Sequence, residues 1–88
     1  MLKTVEFLQT TSKGQKLVGT VSFDGEKVQF KVPLGLELQM QGGIKGRSEN
    51  GILYPEDGFK FLEELQFAFS GSYLRATKPK EGIIKIFD

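Results

Sequence analysis

One stretch carries a helical period in a chain that otherwise alternates. Between Glu56 and Phe69 the apolar residues Phe61, Leu62, Leu65, Ala68 and Phe69 recur at three- to four-residue spacing. That spacing gathers them on one face of a helix, while Lys60, Glu63, Glu64 and Gln66 fall elsewhere. Pro55 suits a first helical position, and Glu56 and Asp57 place negative charge at the positive end of the helix dipole. Ser70-Gly71 ends the run, with Gly71 a candidate for the left-handed residue that closes a helix. The spacing predicts one helix over about 56–69.

The rest reads as short strands. Residues 3–10 and 16–23 alternate apolar and polar around the turn Thr11-Ser12-Lys13-Gly14. Asp24-Gly25 then separates the second strand from a third at 27–32, a strong hairpin signal because both residues tolerate positive φ. After Pro33 and Gly35, Leu36-Glu37-Leu38-Gln39-Met40-Gln41 alternates at period two and predicts a half-buried strand. Gly42-Gly43 and Asn50-Gly51 read as turns flanking short strands at 44–47 and 52–54. Ser72–Ala76 and Ile83–Phe87 read as further strands, joined by a polar connector at 77–82.

Strands followed by a helix, without βα alternation, give an α+β class. The expected architecture is a mostly antiparallel, meandering sheet packed against a single helix at about 56–69, with a final C-terminal strand. The 88 residues suffice for one small domain over 1–88, with a modest core. That core is expected to hold Val5, Phe7, Leu17, Val21, Phe23, Val28, Phe30 and Val32 from the first strands. Leu36, Leu38 and Met40 join them, with Phe61, Leu62, Leu65 and Phe69 from the helix. On the first strand Leu8 competes with Phe7 for the buried face.

Composition narrows the chemistry. The chain has no cysteine, which removes disulfides, thiolate nucleophiles and Cys-ligated zinc. It has no histidine either, so the usual general base near neutral pH is missing. No cofactor is expected, and no residue pattern points to an enzyme. Twelve Lys and Arg against eleven Asp and Glu leave a net charge of +1, which offers no global attraction to nucleic acid or anionic membrane. No apolar run reaches the ~18 residues of a membrane span, and the N-terminus lacks the apolar core of a signal peptide. The expectation is a cytoplasmic protein with no membrane partner.

Several motifs invite a functional reading beside a structural one. Gly42-Gly43-Ile44-Lys45-Gly46-Arg47 has the glycines and cations of a phosphate cradle, but it lacks the Lys-Ser/Thr and following helix, and a hairpin turn explains it better. Lys45, Arg47, Arg75, Lys78 and Lys80, with Tyr73 near, are candidate anion contacts if folding gathers them; otherwise they are solvated charges. The pairs Glu56/Asp57 and Glu63/Glu64 are adjacent on a helix and do not converge, so capping and solubility account for them. Phe59 and Phe67 lie off the apolar face of the helix. Either the sheet curls around to cover them, or they widen the apolar surface towards an interface.

The run from Tyr54-Pro55-Glu56-Asp57-Gly58-Phe59 through Leu74-Arg75-Ala76 is similar to the ends of small bacterial proteins, a resemblance that implies no family and no activity. The leading expectation is therefore a small non-catalytic protein-interaction module with a protein partner or with itself as a homodimer. Its contact residues would be Phe59, Phe67, Ile83, Ile84, Ile86 and Phe87. The alternatives are a nucleic-acid-binding domain using the five cations above, and a small-ligand binding protein or enzyme.

Overall fold

Thr11 and Gly14 close the first hairpin, between β1 (Lys3–Thr11) and β2 (Gly14–Phe23). The Thr11 hydroxyl donates to the Gly14 carbonyl and accepts the Lys13 N–H, which holds the tight turn against water. The structure, a computed structural model, describes residues 2–41, 45–50 and 52–82. Midway along the hairpin the register shifts: Phe7 pairs with Gly19 but Leu8 with Leu17, leaving Val18 as the extra residue of a bulge. Of the two competitors for the buried face, Phe7 is wholly buried and Leu8 is half-buried.

The second turn is longer than a two-residue Asp-Gly hairpin. β3 (Val28–Lys31) begins opposite Phe23, so Asp24 to Lys27 form the loop. Asp24 Oδ1 accepts the backbone N–H groups of Lys27 and Glu26, each at 2.8 Å. Those two bonds hold the Asp24 pKa below its ordinary value. Gly25, at φ 105°, takes the left-handed backbone that the loop demands.

The segment expected as a fourth strand is a helix instead, α1 (Leu34–Gln41). Pro33 supplies the carbonyl that accepts the N–H groups of both Leu36 and Glu37, and so opens the first turn. Leu36 and Met40, four residues apart, share the inward face; Met40 is buried and Leu36 packs against the core. Leu38 is not in the core: it is 59% exposed, with Leu34 beside it at 67%. The expected turn at Gly42-Gly43 lies outside the described residues.

β4 (Gly46–Glu49) and β5 (Ile52–Pro55) form the next hairpin, with Asn50 at φ 53° in the turn that its Asn-Gly signature predicts. Pro55 thus ends a strand rather than starting a helix. The helix α2 (Gly58–Ala68) begins three residues later, capped by Asp57, whose carboxylate accepts the Lys60 N–H at 3.0 Å. Gly58 is the entry point. A Cβ there would lie 2.4 Å from the Phe23 ring, so only glycine lets the helix start flush on the sheet. Nor does α2 end on a left-handed Gly71. Phe69 closes the last turn through its N–H to the Leu65 carbonyl, and its own carbonyl accepts the Ala76 N–H. The chain folds back at once into β6 (Leu74–Ala76) and then β7 (Lys80–Glu81). The expected strand at 83–87 lies outside the described residues.

The seven strands make one antiparallel sheet in the order β4-β5-β3-β2-β1-β6, with β7 also on β1. β6 and β7 share the free edge of β1, opposite Phe7–Gln9 and Lys3–Thr4 respectively. Thr77 bridges the gap between them, exchanging hydrogen bonds with the backbone of Glu6. On the other side β3 and β5 meet at a single register pair, Val28 with Leu53.

α2 lies across β1, β2, β5 and β6 and buries Phe61, Leu62 and Leu65 against Val5, Phe7, Val21, Phe23 and Val28. Full burial of a side chain such as Leu62 stabilises by about 1.5–3 kcal/mol. Two aromatic pairs pin the helix ends, Phe23 with Phe59 and Phe7 with Phe69, both edge to face at centroid distances of 4.9 and 5.3 Å. Ala76 joins this core from β6, a place its small size does not advertise in sequence. Among the described residues no helix is long and apolar enough to cross a membrane.

Candidate functional site

The two phenylalanines that leave the apolar stripe of α2 have different fates. Phe59, in the first turn, is half-buried with its edge on the Phe23 ring, and Lys3 Nζ stands 5.4 Å from its centroid. Phe67, two turns on, is 77% exposed. It lines a cleft of about 330 Å³ between α2 and the β1/β7 edge, with Lys3, Glu63, Gln66, Lys78 and Pro79. This cleft brings together one residue expected at a protein interface, Phe67, and one expected to meet an anion, Lys78. Lys3 and Pro79 complete it. They join because β7 pairs with the start of β1, a long-range pairing without a local signal.

The chemistry of the cleft is mixed. Two ammonium groups and one carboxylate surround an exposed aromatic ring, and Pro79 gives it a rigid, apolar rim. Such a site can take an apolar side chain beside an acidic group, with the ring supplying contact area and the lysines the charge complement. Ile83, Ile84, Ile86 and Phe87, the other expected contact residues, lie outside the described residues.

The five cations are not assembled on one surface. Lys45 and Arg47 stand at the β4 edge, while Arg75, Lys78 and Lys80 stand along the β6/β7 edge. Five strand spacings of about 4.8 Å separate β4 from β6 along the sheet. Arg75 and Lys80 pair in register with Leu8 and Thr4, on the face turned away from Phe7 and α2, whereas Lys78 lines the cleft on the helix side. Arg47 lies over the Tyr54 ring at 4.8 Å and 3.8 Å from the Glu49 carboxylate. Arg75 reaches Gln15 Oε1 at 3.4 Å.

The acidic pairs also separate. Asp57 caps α2, and Glu56 donates its N–H to the Lys45 carbonyl. Glu63 faces the Phe67 cleft, while Glu64 lines a hollow of about 300 Å³ on the other flank of α2, beside Lys45 and Lys60. Among the described residues no three carboxylates come together to hold a metal ion. Ser70 donates its hydroxyl to the Phe67 carbonyl and is occupied in ending the helix.

Sequence reasoning missed Leu34 and Leu38, which stand exposed on the outer face of α1. Their four-residue spacing was the signal. It was masked by the two-residue alternation in which it is embedded. No family model matches the chain, and no solved structure matches it significantly.

Proposed function

We propose that the protein is a non-catalytic protein-interaction module whose contact surface is centred on Phe67. The observation that supports this is the 77% exposure of that ring in a cleft whose rim carries Lys3 and Lys78. Covering a phenylalanine side chain is worth about 1.5–3 kcal/mol, enough for one anchor to dominate a small interface. The preferred partner presents an apolar side chain next to a carboxylate, and it is a second copy of the chain or a different protein. Phe59, half-buried against Phe23 with Lys3 beside its ring, packs on the core rather than acting as an anchor. The separation of the five cations over two sheet edges favours this reading over a nucleic-acid surface, which needs its positive charge on one face.

A photoreactive phenylalanine analogue at position 67, expressed in the producing cell, tests the reading. Gln29, exposed on the opposite face of the sheet, is the control position. A discrete protein adduct from position 67 and none from position 29 is expected. An adduct of twice the chain mass identifies a second copy, and a heavier or lighter one a different protein. Irradiation that yields no adduct at 67, or the same adducts at both positions, overturns the reading.

A further inference from the structure

We propose that the chain also pairs with a second copy of itself through β4, edge to edge, about a two-fold axis at Ser48. This surface is separate from the Phe67 cleft and lies at the other end of the sheet. Among the described residues β4 is the outermost strand on its side, and all four of its residues are exposed. An open edge offers unpaired N–H and C=O groups as a template for another strand.

The hairpin fixes which groups face outward. Glu56 donates its N–H to the Lys45 carbonyl at 3.0 Å, so those two residues form a hydrogen-bonded pair. Antiparallel ladders alternate between bonded and non-bonded pairs. Gly46 with Pro55 is therefore a non-bonded pair, the kind that suits a proline without an N–H. Arg47 with Tyr54 is bonded in turn, and Ser48 with Leu53 is not. The N–H and C=O of Gly46 and Ser48 consequently point away from β5, towards the open edge.

The side chains then select one register. Antiparallel pairing centred on Ser48 sets Arg47 opposite Glu49 of the second copy, and Glu49 opposite its Arg47. The two Ser48 residues exchange both of their hydrogen bonds across the axis. Arg-Ser-Glu is its own charge complement when reversed, as an isologous interface requires. Sliding the copies to the neighbouring bonded registers places Arg47 against Arg47 or Glu49 against Glu49, which like-charge repulsion disfavours. Within one chain Arg47 lies over the Tyr54 ring and holds Glu49 only loosely, at 3.8 Å, and both charged side chains remain largely exposed to a partner. Ile52 and Tyr54 share their face on β5 and flank the contact. β4 is short and charged, features that discourage indiscriminate pairing, but it has no proline, and in this one register its charges complement each other rather than repel.

Sedimentation velocity of the full chain, over a dilution series from the high micromolar range, tests the proposal. The wild type is expected to dissociate on dilution. R47E and E49R should each weaken the dimer by about tenfold or more, because each turns two symmetric attractive pairs into repulsive ones. The double reversal R47E/E49R restores complementarity and with it the wild-type dissociation constant. S48P removes the N–H on the axis while sparing the ladder to β5, and should abolish the dimer. Thermal melts in dilute solution establish that each variant is folded, and if S48P does not fold the charge reversals decide. A monomer at every concentration, or a dimer that single charge reversals leave unchanged, overturns the proposal.

Discussion

Thr4 stands near the start of β1, 1% exposed, and among the described residues its Oγ1 meets no hydrogen-bond partner. It faces away from α2, opposite Ser22 in register. A hydroxyl withdrawn from water without a partner costs about 1–3 kcal/mol, and valine has the same shape without that burden. Thr4→Val is therefore expected to stabilise the fold by about 1 kcal/mol, raising Tm by several degrees in a chain of this size. Urea denaturation checks it: the midpoint should rise at constant slope. A lower midpoint would show that the hydroxyl stabilises the sheet after all. The residue scale also shows where sequence was informative. Phe67 stood out because it broke a helical stripe, and it is exposed. Phe59 broke the same stripe, yet it packs edge to face on Phe23 of β2. Which side chain is covered depends on where the sheet ends, and no local pattern encodes that.

At the scale of elements, hairpin turns and α2 were legible because their signals are local. Asn50-Gly51 and the apolar stripe of α2 each sit within a few residues of the structure they specify. α1 was not legible, for a reason particular to its sequence. Apolar residues at 34, 36, 38 and 40 satisfy a strand period of two, but they also form two pairs spaced by four, the helical neighbour distance. Leucine, glutamate, glutamine and methionine favour helix, and here propensity with the Pro33 carbonyl prevails over alternation. The helix accepts the cost of leaving Leu34 and Leu38 in solvent. It also carries Gly35 in its first turn, where an added Cβ meets nothing within 4 Å. Gly35→Ala should thus stabilise the protein by about 0.5–1 kcal/mol, by restricting the unfolded chain and favouring helix. Far-UV circular dichroism should show unchanged or greater helix content with a higher Tm. A lower Tm would mean that the segment needs the freedom of glycine.

For the molecule as a whole, strand order decides both stability and surface, and it is the level that sequence conveyed least. Lys3 and Lys78 meet at one cleft because the two ends of the described chain pair, whereas Lys45 and Arg75 are parted by the width of the sheet. The same order distributes stability unevenly. β1 and β2 run side by side over nine register pairs and bury Val5, Phe7 and Val21 completely. Among the described residues the β4–β5 hairpin, by contrast, joins the sheet at the single register pair of Val28 with Leu53, and all four residues of its outer strand are exposed. Local opening follows the least buried contacts, so the hairpin can detach while the central strands stay closed. Native-state hydrogen exchange in dilute solution should find the inward-bonded amides of Arg47, Glu49 and Tyr54 exchanging well ahead of those of Val5, Phe7 and Val21. Low denaturant should leave the hairpin rates nearly unchanged while it accelerates the central ones, since detaching a hairpin exposes little surface and global unfolding exposes much. Equal rates with equal denaturant dependence across all six amides would instead show one cooperative unit, in which the single β3–β5 contact and the packing of Leu53 bind the hairpin as firmly as the long ladder binds β1 to β2.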